Sequence, residues 1–273
     1  MAFGGAMIKL LMGEILRRTP QLRGKGYLAA LWVRRHPKGR MRTLLPGGAS
    51  IECDLSQPYE AMVWLRQEEQ AELEWLHRTL NPGQCFVDCG ANIGLWTLTA
   101  ARSVGPTGRV LALEANPVTA ARLAHNVAQN RLDNVAEVVS VAVGDIPGEA
   151  LFDPGASHNL GQVSGSGKTK VTMQTLDNLI AFPVDGIKLD IEGFELEALA
   201  GAERLLTEDS PWLMIEFNTL VAGVNRLGDW EVHRLLRTYD YKAYGRGSGF
   251  SWDVQLSDDW VTPGYRNLLY IHE

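Results

Sequence analysis

The stretch "VDCGANIGLW", Val87 to Trp96, decides how this chain is read. An apolar run that meets Gly90 and Gly94 and then turns apolar again has the form of a strand passing through a tight loop into a helix. Open α/β sheets hold nucleotide-like ligands at such places. A dinucleotide loop, G-x-G-x-x-G, needs its middle glycine so that the backbone can approach a pyrophosphate. Here Asn92 stands in that place, and a carboxylate, Asp88, precedes the first glycine. Both features oppose a bulky dianion.

Working outward, strand-like segments recur with helical patterns between them. The strand candidates are "CFVDC", "RVLALEA", "AEVVSVAV", "GIKLDI", "WLMIEF", "YKAYG" and "NLLYIH", and helices are expected to start near Leu95, Pro117, Leu176, Glu195 and Asp229. Apolar strands separated by helices predict a parallel sheet covered on both faces. The last two strands are joined by a stretch without a helical pattern, so they are expected to pair antiparallel. The expectation is an α/β fold with the Rossmann-like, mostly parallel seven-stranded sheet of class I methyltransferases, its last strand antiparallel. A dehydrogenase sheet is also doubly wound.

Upstream, "RTLLPGGASIECDLS" alternates around Pro46, Gly47 and Gly48 and predicts a β-hairpin. "YEAMVWLRQEEQAELEWLHRTL" then places Met62, Leu65, Leu73, Leu76 and Leu80 at mostly helical spacing and predicts one lead-in helix. The expected division is a basic helix-and-hairpin extension over 1–50, the hairpin end and lead-in helix over 51–80, and the cofactor-binding domain over 81–273.

Composition limits the function classes. The 273 residues are 45% hydrophobic and 21% charged, with a net charge of -6. A surface of that sign repels a phosphate backbone, so no nucleic-acid partner is expected. The segment from Lys9 to Arg42 nevertheless carries ten Lys and Arg against the single acid Glu14, and it reads as a solvated basic arm. The start "MAFGGAMIKLLMGEILRR" is broken by Lys9 and Glu14. It is too short and too interrupted for a signal peptide or a transmembrane segment, and a short helix that docks on the body or on a second copy is expected. A homodimer contact is one use of that arm. Three cysteines, Cys53, Cys85 and Cys89, make no disulfide framework, which fits a reducing cytoplasm.

Carboxylates at successive strand ends separate the candidate cofactors. Glu114, in "LALEANP" with Ala115 and Asn116, can accept hydrogen bonds from both ribose hydroxyls, which NAD and S-adenosylmethionine (SAM) share. Asp145, in "VAVGD", can accept from an adenine amino group. SAM has no phosphate and carries an ammonium and a sulfonium, so Asp88, Glu114 and Asp145 favour it over NAD. Each acid also has the plainer role of a helix cap.

"FVDCGANIGLWTLTAA", "GRVLALEANP", "NVAQNRLDNV", "VAVGD", "TLDNL" and "IKLDIEGFELEALAGAERLL" together resemble the FkbM family of SAM-dependent methyltransferases over roughly residues 81–218. The resemblance implies a class I fold and methylation of a hydroxyl on a sugar, glycan or polyketide-type natural product. By position, Asp88, Gly90, Ala91, Asn92 and Gly94 would form the methionine-side loop, Glu114 would hold the ribose and Asp145 would face adenine. "GASHNLGQ", with His158, is similar only loosely to the family's loop there.

A neutral hydroxyl needs a base, or a metal that lowers its pKa, before it can attack. In "IKLDIEGFE", Lys188 and Asp190 share one strand face and Glu192 begins the following turn. Asp190 is the candidate base, with Glu192 beside it and Lys188 orienting them. His158 is a further candidate base. Glu216 and Asn218, in "IEFN", and Trp252, among Trp230, Trp252 and Trp260, are candidate substrate contacts. Asp190, Glu192 and Glu216 are oxygen donors that would suit Mg2+ or Ca2+, yet nothing in their spacing demands a metal and none is expected. The expected acceptor is a small molecule or glycan. N-methylation of an amine and a catalytically silent SAM-binding module are the alternatives.

Overall fold

The structure, a computed structural model, describes residues 11–19, 24–35, 38–153, 162, 163, 167 and 169–273. The chain passes through a helix, Lys25–Val33, a hairpin of β1 (Arg40–Leu44) and β2 (Ser50–Asp54), and two helices, Pro58–Trp64 and Gln70–Thr79. Then come β3 (Cys85–Cys89), helix Leu95–Val104, β4 (Arg109–Leu113), helix Pro117–Gln129 and β5 (Ala136–Val139). After these lie β6 (Ala142–Val143), β7 (Gly148–Asp153), β8 (Gln162–Val163) and β9 (Thr169–Gln174). The chain closes with β10 (Gly186–Leu189), helix Glu195–Ala200, β11 (Trp212–Asn218), helix Glu231–Thr238, β12 (Tyr241–Gly245), β13 (Val254–Gln255) and β14 (Tyr265–His272).

The main sheet has the order β13-β12-β14-β11-β10-β3-β4-β5. Strands β11, β10, β3, β4 and β5 are mutually parallel, and β14 inserts antiparallel between β11 and β12. This is the Rossmann-like sheet of class I methyltransferases, with the short β13 added at one edge. Strand order reverses between β3 and β10, so the loops after these two strands open one crevice. Alternation along the strands splits the core. Phe86, Val110, Ala112, Met214 and Leu269 pack with the lead-in helices and helix Leu95–Val104. Val87, Cys89, Ile187, Leu189, Ile215 and Phe217 pack against the opposite layer, around Leu199, Val232 and Leu236.

Two segments differ from their predicted form. "AEVVSVAV" is not one strand: β5 ends at Val139, and Ala142–Val143 joins a separate four-stranded sheet of order β6-β9-β7-β8. The lead-in segment is two helices, because Arg66 and Glu69 adopt φ of 58° and 46° between Leu65 and Gln70. The polar run Arg66–Gln70 has no apolar residue to hold a helical stripe against the core, so the chain can turn there.

The hairpin and lead-in helices are tied to helix Pro117–Gln129 and its C-cap by polar contacts. The Glu60 carboxylate, fully buried, takes a two-pronged ion pair from the Arg122 guanidinium and accepts from the Asp54 amide at 2.6 Å. Asn126 of helix Pro117–Gln129 and Asn130, its C-cap, bond the β2 backbone at Glu52 and Ser50, at 3.1 and 2.8 Å. These bonds hold the two lead-in helices beside the crevice. Among the described residues, no helix is long and apolar enough to cross a membrane.

Candidate functional site

A cavity of about 580 Å³ lies at the carboxyl ends of β3, β4, β10 and β11. Its floor on one side is the loop after β3. The Gly90 and Ala91 amides both donate to the Leu113 carbonyl, at 2.9 and 3.0 Å, and the Gly94 amide donates to the Ala91 carbonyl at 2.9 Å. The Asn92 amide donates to Glu114 Oε2 at 2.9 Å. With these four amides engaged inside the protein, the loop does not present the row of free N–H groups that a pyrophosphate requires. Gly90, at φ 79°, also lies so close to the Asp190 carbonyl that an added Cβ would fall 1.9 Å from that oxygen. The glycine is therefore there for close packing of the β3 and β10 turns.

Glu114 is held by the backbone on both oxygens, since Oε1 accepts from the Asn116 amide at 2.9 Å. Burial raises its pKa, and the two amide bonds work against that rise. Beside it, Leu113, Ala115, Val141, Ala142, Val143 and Phe152 form an apolar slot on the cavity wall. Asn92 lines the same end, and its buried Oδ1 has no hydrogen-bond partner. A fixed carboxylate, an unsatisfied oxygen acceptor and an apolar slot fit a cofactor with hydroxyl and ammonium donors and a flat purine. That is the donor pattern of SAM.

The other end of the cavity is acidic. Lys188 and Asp190 share the β10 face that looks toward the lead-in helices, and Lys188 Nζ donates to Asp190 Oδ2 at 2.9 Å. The ammonium also lies 3.9 Å from Glu69 Oε1 and 5.2 Å from the centre of the Trp96 ring. Burial works against the charged lysine, but Asp190, Glu69 and Asp88 together hold its pKa above the ordinary value. Glu192 and Glu216 complete this end with Glu68. Burial first, and then the Asp190 charge, push Glu192 up to about 7 and Glu216 up to about 8. Glu68 also rises to about 7, through burial and the charge of Glu69.

Of the residues predicted for the site, Gly90, Ala91, Asn92, Glu114, Ala115, Lys188, Asp190, Glu192, Glu216 and Asn218 line the cavity. Asp88 and Gly94 stand behind its wall. Asp88 is 1% exposed and accepts from Thr97 Oγ1 at 2.6 Å. Gly94, at φ 104°, starts helix Leu95–Val104. Asn218 also caps a short helix, accepting from the Leu220 amide at 3.2 Å.

Three predicted residues are elsewhere. Asp145 is exposed and lies beyond β6 on the second sheet, because the third strand of the main sheet stops six residues before it. Asn116 does not line the cavity and is a helix N-cap whose Oδ1 accepts from the Val118 amide at 3.0 Å. Trp252 is 5% exposed and packs on Trp75, with ring centres 5.6 Å apart, so it is a core side chain rather than an acceptor platform. His158 lies outside the described residues. Among the described residues, no three His, Cys, Asp or Glu side chains converge on a geometry that could hold a metal ion.

Sequence reasoning missed Tyr59, Met62, Glu68 and Glu69 of the lead-in segment, Phe152 of the second sheet, and Tyr265 and Asn267 of β14. A signal for the acidic pair did exist. The seven residues between Leu65 and Leu73 in the apolar spacing include "RQEEQ".

Comparisons with known proteins bear on the family. Ribosomal RNA large subunit methyltransferase E from Sorangium cellulosum is 42% identical over 50 residues, which is 18% of this chain and 24% of that protein. The chain thus spans about a quarter of the length of this curated relative. The solved structure of Methyltransferase FkbM from Methylobacillus flagellatus is 19% identical with a TM-score of 0.44, covering 78% of this chain and 54% of that one. The complex of aTrm5 with tRNALeu is 10% identical with a TM-score of 0.45, covering 86% of this chain and 52% of that one. The expectation of no nucleic-acid partner is corrected, since the curated relative that matches over 50 residues is by its name a ribosomal RNA methyltransferase. The physical reason is that net charge averages over a whole surface and does not exclude a local one of opposite sign. The family model of the methyltransferase FkbM domain matches residues 88–242, more than half of the chain. The chain therefore belongs to the FkbM family of SAM-dependent methyltransferases.

Proposed function

We propose that the protein methylates a hydroxyl on a sugar, glycan or polyketide-type natural product, with Asp190 as the base that takes the hydroxyl proton. SAM, when bound, supplies a methyl carbon already activated for in-line displacement. Glu114 would accept from its ribose hydroxyls, Asn92 would offer an acceptor to its ammonium group, and the slot beside Phe152 would take its adenine. Aligning the acceptor, excluding water and removing one proton are what remain for the protein.

The observation that carries this reading is the carboxylate arrangement at the acceptor end. Asp190 is fixed at that end by the Lys188 ammonium, which donates to its Oδ2 at 2.9 Å. Glu192, at about 7, and Glu216, at about 8, are substantially protonated near neutrality. A protonated carboxyl both donates and accepts, which suits the orientation of a polyol. A cationic amine would instead favour ionised partners and would draw these values down. Five carboxylates on one wall are nonetheless the specific feature that keeps amine methylation as the second reading.

The test is incubation with methyl-deuterated SAM and three acceptor sets: neutral methyl glycosides, amino-sugar glycosides, and total ribosomal and transfer RNA. Label on an oxygen of a neutral glycoside is expected. Label confined to nitrogen establishes the second reading, and label confined to RNA removes both.

A further inference from the structure

The helix break between Leu65 and Gln70 puts a glutamate where a helix start has no use for its side chain. Glu69 occupies the N-cap position of helix Gln70–Thr79, but its carboxylate makes no capping bond. It turns inward, accepts from the Trp96 indole Nε1 at 3.0 Å and stands 3.9 Å from the Lys188 ammonium. Its left-handed backbone is uncommon for a residue of this kind and concentrates at functional sites. Of seven such non-glycine residues among those described, three, namely Glu69, Asn92 and Glu192, line this one cavity.

The Lys188 ammonium has two carboxylates to choose from on its own sheet face. Asp190 lies at the cavity end, while Asp88 is its register partner on β3, facing the same way beneath it. Asp88 Oδ1 is buried and without a hydrogen-bond partner, so it is an open acceptor for that ammonium. The observed bond goes to Asp190 instead, at 2.9 Å. The feature on the cavity side that favours this choice is the second carboxylate, Glu69, with the Trp96 ring face below the charge.

We propose that Glu69 is a positioning residue for methyl transfer: it draws Lys188 away from Asp88 toward the cavity, and the ammonium in turn orients Asp190 toward the acceptor. This rests on the reading of Asp190 as the acceptor-side base. It also makes the lead-in segment, which precedes the family-matched stretch, part of the catalytic unit.

The test uses the full chain with S-adenosylhomocysteine bound. Lysine labelled with nitrogen-15 reports the Lys188 ammonium, identified by its loss in Lys188→Met. Glu69→Ala is expected to shift that signal and to slow transfer to the methyl glycosides by about ten- to a hundredfold, the scale of a small misplacement of a reacting group. Affinity for S-adenosylhomocysteine, read by calorimetry, is expected to stay within about twofold, a small change on the scale where tenfold is 1.4 kcal/mol. Glu69→Gln keeps an acceptor for Trp96 without the charge, and should fall between wild type and Glu69→Ala.

An unshifted ammonium signal in Glu69→Ala overturns the inference whether or not a glycoside is turned over. Loss of S-adenosylhomocysteine affinity equal to the loss of turnover also overturns it, by making Glu69 a cofactor contact. Asp190→Asn separates the two readings. If it leaves turnover intact, the base reading fails; if it abolishes turnover while Glu69→Ala changes neither signal nor rate, the positioning role alone fails.

Discussion

The two ends of the cavity are built on opposite principles. At the cofactor end, Glu114 is held on both oxygens by main-chain amides within the β3 and β4 turns. At the acceptor end, Asp190 is held by a lysine side chain, and that lysine is held by Glu69 from a helix break more than a hundred residues away in sequence. Backbone bonds between neighbouring loops give a geometry that survives side-chain change. Side-chain pairs drawn from distant segments give one that can be retuned without disturbing the cofactor.

The largest effect should come from breaking the junction of the two ends. Gly90→Ala places a Cβ on the Asp190 carbonyl and requires φ 79° of an alanine. The backbone conformation alone costs about 1–3 kcal/mol, and the overlap forces the β10 turn outward. Calorimetry is expected to show loss of S-adenosylhomocysteine binding together with a lower melting temperature. An alanine variant that binds normally would mean that the two turns are not packed as described.

Next in size is the cofactor end alone. Glu114→Gln leaves one oxygen and adds an N–H that faces a donor amide. Charge-assisted hydrogen bonds of this kind are worth about 1.5–3 kcal/mol, so SAM affinity should fall by roughly tenfold or more. The Lys188 signal should not move, because the two ends are held independently; a coupled shift would break the comparison.

The acceptor end should show itself in pH dependence. Glu216 has its folded pKa raised from 4.5 to about 8, with burial the main cause. The folded state therefore binds more protons than the unfolded chain across that window, and stability falls as pH rises through it. A decreasing melting temperature from about pH 5 to about pH 8 is expected, with a shallower decline in Glu216→Gln. Equal slopes in the two proteins would remove Glu216 from the acidic set.

The smallest effect tests a correction. Trp252→Phe should cost roughly 1 kcal/mol of stability through lost packing on Trp75, with acceptor KM unchanged. A raised KM without loss of stability would return Trp252 to the acceptor surface.

Most of the fold was legible because buried parallel strands are short apolar runs with glycines and acids at their ends, and "CFVDC", "GIKLDI" and "WLMIEF" are of this kind. The run "AEVVSVAV" misled for the same reason. Apolar content says that a segment is buried, but not which sheet buries it, and the turn at Ser140 and Val141 leads into the second sheet. Asp145 was carried out of reach with it. Trp252 was misread because aromatic content does not distinguish a core face from a binding face.

Local patterning was enough to bring Gly90, Asn92 and Glu114 to the cavity wall, because they lie close along the chain at strand ends and in one loop; it did not show that Asp88 stands behind that wall or that Asp145 lies outside it. The acceptor end needed the folded chain. Glu68 and Glu69, Lys188 and Asp190, and Glu216 come from three separate segments, and their protonation depends on mutual distance and burial, neither of which is written in any local pattern. Short-range chemistry is encoded by neighbours in sequence, whereas a charge network exists only once sheet order and helix docking have brought its members within a few ångströms.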